Sequence, residues 1–363
     1  MKAKRVLIAG CTSTKGGLET YIMGLYRNID RSLLQFDFLQ LEKEEIAYAE
    51  EIRKMGGRIF KLPMIRDDIL GHYKCLKKIF SQCNYAGVYF QFNRKPVSLD
   101  TFQYARKAGV PHRVIHSHNS TEAKMSRLHI LREIAAEKSM DRYVTDYFAC
   151  SEQAGCWMFG DRNFTVIKNS IDTDVFCFNQ EKRNKLRENM NLTGKTVLGT
   201  VGRLEDAKNP FFLIEIFKEV HKKNPDTVFL HIGTGIYEKD MMTKLKEYGL
   251  EESYLLLGQK KDIADYMNVM DMFLLPSRHE GFPFVLVEAQ ATGLKCLIAD
   301  NITGTCDLTG NVEFLSIDCG TAVWEEAISD HMGYERTDQK EAIIRQGYDI
   351  HVAAKQIQDF FLS

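Results

Sequence analysis

No stretch of this 363-residue chain approaches the ~18 consecutive apolar residues that a transmembrane helix needs. Nor is there an excess of charge: 48 lysines and arginines face 49 aspartates and glutamates, a formal net charge of −1. That excludes the basic footprint of a nucleic-acid-binding protein and the global basicity that drives membrane binding. Cysteine pairing signals are missing too. The nine cysteines are odd in number and none stands in a C-x-x-C pair, which reads as reduced cytosolic thiols and not as a disulfide framework. There is no H-E-x-x-H and no Cys/His cluster, so no structural zinc site is expected. The first strand is followed by neither G-x-G-x-x-G nor G-x-x-x-x-G-K-[ST], which counts against a dinucleotide-dependent oxidoreductase. The amino terminus, MKAKRVLIAG, reads as a first β-strand and not as a signal peptide.

What is there is periodicity. RVLIAG, FDFLQL, RIFKLP, AGVYFQF, HRVIHSHN and YFACS read as strands, with helical segments such as LETYIMGLYRNI and TFQYARKAGVP between them. After a polar stretch, KRNKLRENMNLTG, the alternation restarts with TVLGTVG, TVFLHIGTG, YLLLGQ, DMFLLPS, KCLIAD and VEFLSI. Strands alternating with helices predict parallel sheets covered on both faces. The fold class is α/β, with two Rossmann-like domains. We place the first at residues 1–172 and the second at 173–345. An amphipathic helix at 346–363 carries apolar residues at three- and four-residue steps, ending in Phe360-Phe361. Such sheets bind ligands beyond the carboxyl ends of their strands, and two facing domains would set the site in the cleft between them.

The strand ends carry the candidate chemistry. GCTSTKGGLETY follows the first strand, with Gly16 and Gly17 just before a helix, where backbone amides can approach an anion. In the second half, VGRLEDAKNP places Arg203 and Lys208 after a strand, two cations suited to a diphosphate. HIGTGIYE brings Gly233 and Gly235, and LLLGQKKD brings Gly258 and Gln259. The most specific stretch is SRHEGFPFVLVEAQATGL. It holds Glu280 in a loop and Glu288 in the second turn of an apolar helix that begins near Phe284 and stops at Gly293. A carboxylate in such a helix is costly without a partner, and carboxylates accept well from the vicinal hydroxyls of sugars and ribose.

These segments resemble the retaining glycosyltransferases of family 4, which have the GT-B fold. The resemblance rests on VGRLEDAKNP, LHIGTGIYE, LLGQKKDIADYMNVMDMFLLPSRHEGFPFVLVEAQATGL, VIKNSIDTDVF, GGLETYIMGL and RVIHSHNS, spread over nearly the whole chain in the family's order. Its closest flavour is that of bacterial capsule and exopolysaccharide transferases. The resemblance implies that Glu280 faces the donor sugar, Glu288 binds the ribose, and Arg203 with Lys208 holds the diphosphate. It also implies that Phe284 and Val285 offer amides to the distal phosphate, that Gly258 and Gln259 lie near the base, that Gly16 and Gly17 form the opposing loop, and that the helix at 346–363 crosses back to pack on the first domain. The family has one histidine at a strand end of its first domain. This chain offers His116 and His118, of which His118, nearer the end, is preferred. Where the family has Pro-Asn-Gly, this chain has Lys168-Asn169-Ser170.

The expected activity is therefore transfer of a sugar from a nucleotide-diphosphate donor, foremost a UDP-sugar, to a glycan or lipid-linked acceptor in cell-surface polysaccharide synthesis. No cofactor or metal is expected: the reading needs no Asp-x-Asp metal motif and picks none out. The expected location is cytoplasmic, with peripheral contact at the inner face of the membrane, and no nucleic-acid partner. The cationic stretch Lys74, Lys77 and Lys78, with Ile79 and Phe80, is the candidate acceptor-side surface. A non-catalytic partner subunit of the same fold and a sugar-nucleotide epimerase remain open alternatives.

Overall fold

Runs such as Val6-Leu7-Ile8-Ala9 and Val228-Phe229-Leu230 have no polar face, so strands built from them must be covered on both sides. The computed structural model of the chain describes residues 3–119, 126–280 and 282–363. Gly281, in the Gly-Phe-Pro turn beside Glu280, and Ser120, after HSHN, lie outside the described residues. Two compact units result: Met1–Ser170 together with Asp349–Ser363, and Ile171–Tyr348.

The first unit alternates β1 (Lys4–Ala9), α1 (Gly17–Asn28), β2 (Leu34–Gln40), α2 (Ala49–Lys54), β3 (Ile59–Lys61), α3 (Ile69–Gln82) and β4 (Tyr85–Phe92). It continues with α4 (Asp100–Lys107), β5 (His112–Ser117), α5 (Arg127–Tyr143), β6 (Asp146–Ala149), α6 (Glu152–Phe159) and β7 (Thr165–Val166). The strands form one sheet in the order β3-β2-β1-β4-β5-β6-β7, every pair parallel. The order reverses between β1 and β4. There Gly10, at φ +116°, lets the chain pass so close to β4 that a Cβ would lie 2.4 Å from the Gln91 carbonyl oxygen.

Every residue of β2 is buried, including Asp37. A lone buried carboxylate would be very costly, and four donor groups offset that cost. Arg5 Nε reaches Asp37 at 2.9 Å, the Arg58 amide at 3.0 Å and the Tyr85 hydroxyl at 3.0 Å, and the Arg58 guanidinium closes the set. Burial pushes this carboxyl up, but the Arg5 and Arg58 bonds outweigh it and hold it below the ordinary aspartate range.

The second unit opens with α7 (Gln180–Asn189) and runs β8 (Thr196–Val201), α8 (Pro210–Lys223), β9 (Thr227–Ile232), α9 (Glu238–Tyr248), β10 (Tyr254–Gly258) and α10 (Ile263–Val269). Then follow β11 (Met272–Leu275), α11 (Phe284–Ala291), β12 (Lys295–Ala299), β13 (Val312–Leu315), α12 (Thr321–Asp330) and α13 (Lys340–Arg345). Its six parallel strands lie in the order β10-β9-β8-β11-β12-β13, reversing between β8 and β11. Two parallel, helix-covered sheets are the α/β architecture that the sequence periodicity predicts.

Details differ from that reading. The polar stretch Lys182–Gly194, to which the periodicity assigned no element, supplies most of α7. Asn179 caps this helix by accepting from the Lys182 amide at 2.8 Å. Its Arg183 and Arg187 tie down the chain before β11 by donating to the carbonyls of Asn268, Val269 and Met270 and by pairing with Asp271. The stretch EEIAYAEEIRKMGG, whose pattern predicts a helix from Glu44, forms one only from Ala49. The stretch with Lys74, Lys77 and Lys78 does not present Ile79 and Phe80 outward; both are buried in the first unit's core.

The last helix, α14 (Ile350–Leu362), belongs to the first unit. It packs beside α1, where Gly24 leaves room for Ile350. At its far end Phe361 sits over Gly87 of β4, so close that a Cβ there would lie 2.4 Å from the ring. Phe361 is 1% exposed, so Phe361→Ala should destabilise the first unit by about 3–5 kcal/mol. Chemical denaturation monitored at Trp157, which lies in this unit, is the check. Gly87→Val should cost a comparable amount through overpacking, and a neutral result in both would contradict this seating.

Candidate active site

In each sheet the reversal of strand order opens a crevice at the carboxyl ends of two neighbouring strands, and the candidate residues gather there. In the second unit the crevice lies between the loops that follow β8 and β11. Lys208 ends a short 3-10 turn (Asp206–Lys208) after β8. Asn209 then takes a left-handed conformation, φ +52°, and Pro210 starts α8. This bend turns Lys208 toward the loop after β11, where its ammonium pairs with Glu280. The same Glu280 oxygen accepts from Ser277 Oγ at 2.7 Å. The two loops are also stitched together by Arg278, whose amide donates to Ala207 O at 2.9 Å and whose guanidinium donates to Asn209 Oδ1 at 3.1 Å. Arg203 is not drawn into this cluster. It is 76% exposed and pairs with Glu205 at 2.9 Å.

Glycines let three strand ends come together around these loops. A Cβ on Gly233 would lie 1.9 Å from Gly202 O, and one on Gly235 would lie 2.4 Å from Leu204 O. The Gly233 amide donates to Gly258 O at 2.9 Å, joining the ends of β9 and β10. Gln259 follows on the surface.

Helix α11 begins at Phe284 with no side-chain cap, so the first amides, those of Phe284 and Val285, have no acceptor among the described residues. Uncapped amides at a helix start favour an anion. Glu288 keeps some solvent contact yet sits deep in the unit, and burial raises its carboxyl to about 7. Among the described residues nothing donates to that carboxylate. Among the described residues it is an acceptor without a donor, on the same helix as an amide pair without an acceptor.

The first unit's crevice is built differently. Glu19, 4% exposed, accepts from Thr12 N at 3.0 Å, Thr12 Oγ1 at 2.7 Å and Gly16 N at 3.1 Å. This capping box gives the Gly16 amide to its own helix. Gly17 stays exposed. His116 and His118 do share one side of β5, with ring centroids 4.1 Å apart. The Tyr89 hydroxyl lies 2.6 Å from His116 Nδ1. His118 has Nδ1 2.7 Å from Asn169 Oδ1 and Nε2 2.6 Å from Gln91 Oε1. Burial lowers His116 well below the ordinary imidazole value and His118 to about 4, so both rings are neutral near pH 7.

A neutral imidazole has one N–H and cannot donate to two carbonyls. Gln91 Nε2 is buried without a partner. Turning that amide round lets Nε2 donate to His118 Nε2 and leaves Nδ1–H for Asn169. Both nitrogens of His118 are thus engaged inside the first unit.

Sequence reasoning missed several of these residues. Ser277 stands three before Glu280, a Ser-x-x-Glu spacing that is a recognisable local signature. Gln91 and Asn169 gave no local signal. One correction concerns the sequence itself: an Asp-x-Asp triplet does occur, Asp172-Thr173-Asp174. Asp172 accepts from the Asp174 amide at 3.1 Å and the Val175 amide at 3.2 Å, and Asp174 pairs with Lys340. These two carboxylates shape the start of the second unit.

The chain matches the family model described as glycosyl transferases group 1 over residues 181–342. It is 31% identical over 361 residues to EpsF of Bacillus subtilis, which carries a provisional glycosyltransferase name, covering 95% of this chain and 93% of that one. It is 33% identical over 218 residues to an Escherichia coli UDP-Gal:alpha-D-GlcNAc-diphosphoundecaprenol alpha-1,3-galactosyltransferase, covering 57% of this chain and 56% of that one. Among solved structures, Anabaena Alr3699/HepE in complex with UDP superposes with a TM-score of 0.78 over 98% of this chain and 99% of its own, at 19% identity. That likeness shows the shared two-domain fold.

The His118 arrangement has a direct spectroscopic consequence. Nitrogen-15 NMR of the imidazole should show the Nδ1–H tautomer from about pH 8 down to about pH 5, with no titration in the range where free histidine changes charge. Asn169→Asp places an anion on Nδ1 and should move the titration upward into that range. An Nε2–H tautomer, or ordinary titration in the unaltered chain, would contradict the assignment.

Proposed function

The chain belongs to the group 1 glycosyltransferases, and on that footing we propose that it is a retaining, metal-independent enzyme that moves a hexose from a UDP-sugar to a lipid-linked glycan acceptor. The observation that carries the reading is the crevice of the second unit: a lysine held by a carboxylate, an uncapped helix start and a donor-less glutamate, all at one strand-order reversal. Each fits one part of a nucleotide sugar. Glu288 accepts from the ribose hydroxyls. The amides of Phe284 and Val285 meet the distal phosphate. Lys208 supplies a point charge to the diphosphate, and Arg203, free to swing from its exposed position, supplies a fork. Glu280 accepts from hydroxyls of the sugar. Gly258 and Gln259 flank the base.

The bond between the anomeric carbon and the β-phosphate oxygen breaks, and negative charge grows on the departing diphosphate. Lys208, Arg203 and the helix amides stabilise that charge, each worth roughly a hundredfold or more in rate. These cations do the work a divalent ion would do, so chelators should not slow the reaction. The acceptor oxygen bonds to the same face of the sugar through an oxocarbenium-like state, and its proton passes to the leaving phosphate oxygen. A UDP donor is supported by the UDP in the HepE structure, and a lipid-linked acceptor by the diphosphoundecaprenol in the name of the E. coli relative.

The ribose assignment is open to a cycle of two changes. Removing both ribose hydroxyls from UDP should weaken binding to the unaltered chain about tenfold, or about 1.4 kcal/mol. Glu288→Ala should weaken UDP by a similar amount and bind the two nucleotides equally. If Glu288→Ala still prefers UDP over its dideoxy form by the full factor, Glu288 is not the ribose ligand. Strict dependence of turnover on Mg²⁺ or Mn²⁺ would overturn the metal-free mechanism.

A further inference from the structure

Each sheet ends in two edge strands, and an edge offers a row of amides and carbonyls with which another chain can pair. In the first unit the edges are β3 and β7, three and two residues long. In the second they are β10 and β13, five and four residues long. Three of the four are guarded. β3 and β7 are short, and β3 has a cation at either end, Arg58 just before it and Lys61 closing it. β13 carries Glu313, whose carboxylate meets Lys295 and His331. β10 is Tyr254-Leu255-Leu256-Leu257-Gly258, with no charge and no proline, and all of it but Tyr254 is only half-buried.

The backbone shows which groups of β10 are left over. The Phe229 amide donates to Ser253 O at 2.8 Å, so in the parallel ladder Ser253 and Leu255 face β9 and Leu256 faces away. The Tyr254 amide donates to Leu250 O at 2.8 Å. Beyond a register shift after Leu256, the Gly258 carbonyl accepts from the Gly233 amide at 2.9 Å. That leaves the outward amide and carbonyl of Leu256 at the centre of the edge.

The two ends of the strand carry opposite charge. The segment reads EESYLLLGQKK: Glu251 and Glu252 stand five and four residues before Leu256, and Lys260 and Lys261 four and five after it. All four are exposed, and none has an ion pair among the described residues; Lys260 rests 5.9 Å from the centre of the Tyr266 ring. In a two-fold antiparallel pair centred on Leu256, position 251 of one copy stands opposite 261 of the other, and 252 opposite 260, at both ends at once. An in-register parallel pair would set like charge against like. β3 paired with itself in the antiparallel sense would set Arg58 against Lys61.

We propose that β10 is the surface through which two copies of this chain associate. The strands pair antiparallel about Leu256 and join two six-stranded sheets into one, with Glu251 and Glu252 of each copy against Lys260 and Lys261 of the other. This association is independent of the sugar-transfer reading.

Sedimentation of the full chain over a rising concentration series is the first test. The mass should move from the 41.7 kDa monomer to twice that value. Glu251→Lys with Glu252→Lys, and separately Lys260→Glu with Lys261→Glu, should each weaken the dimer by roughly tenfold or more. Neither pair of changes should lower the melting temperature, since all four side chains are exposed. An equal mixture of the two variants should regain the dimer, because each strand end then meets its opposite. Hydrogen exchange at the Leu256 amide should be slow in the dimer and fast in either variant alone. A chain that stays monomeric, a dimer that neither variant weakens, or two variants that come apart and stay apart on mixing overturns the interface. A dimer whose Leu256 amide exchanges no more slowly than the monomer's overturns it as well.

Discussion

The Lys208–Glu280 ion pair joins the two loops on which the proposed chemistry of the second unit depends. One loop follows β8 and the other follows β11, the strands between which the sheet order reverses. The pair balances two partly buried charges, and in the proposed reading each partner meets the ligand in a different role. A diphosphate competes for the lysine; a sugar hydroxyl competes for nothing, because the carboxylate has a second oxygen. On the proposed function the pair is a preset: it holds the lysine at the mouth of the crevice with low entropy and would give it up to a stronger anion.

Much of the surrounding structure makes that placement unavoidable. Asn209 accepts a left-handed backbone so that α8 can start at Pro210 with Lys208 turned inward. Gly233 and Gly235 bring the loops after β8 and β9 closer than any side chain would permit. The first unit uses different devices. Glu19 organises the loop after β1, and Asn169 with Gln91 fixes His118. A fully satisfied neutral network such as the one that holds His118 is rigid.

How much of this could be read from the sequence follows from the range of each interaction. Alternating apolar runs and helical segments are local, and they give both parallel sheets. The spacing of Glu280 and Glu288, and the cations of VGRLEDAKNP, are also local, and they point to one sheet edge. Three things are not local. Gln91 and Asn169 meet His118 across 27 and 51 positions, so nothing near HSHN announces them. The pairing of Glu19 with Gly16 looks in sequence like a glycine loop waiting for phosphate, because a capping box and an anion site use the same amides. Helix α7 carries almost no apolar stripe; its arginines are held by carbonyls some 80 residues on, a tertiary anchor that periodicity cannot show. The set of donors around buried Asp37, from Arg5, Arg58 and Tyr85, is hidden in the same way, since a strand with one aspartate in it reads as a half-exposed strand.

The account stands or falls on Lys208 being shared between Glu280 and the donor's diphosphate. A calorimetric double-mutant cycle on UDP binding measures that sharing directly. Lys208→Met should weaken UDP strongly, while Glu280→Gln, which removes the competitor, should leave UDP bound as tightly or more tightly. With Met already at 208, adding Glu280→Gln should change nothing, so the two changes should be coupled by a measurable energy. Additive effects, or a Lys208→Met chain that binds UDP as well as the unaltered one, would show that the ion pair is only a surface contact and that the diphosphate lies elsewhere.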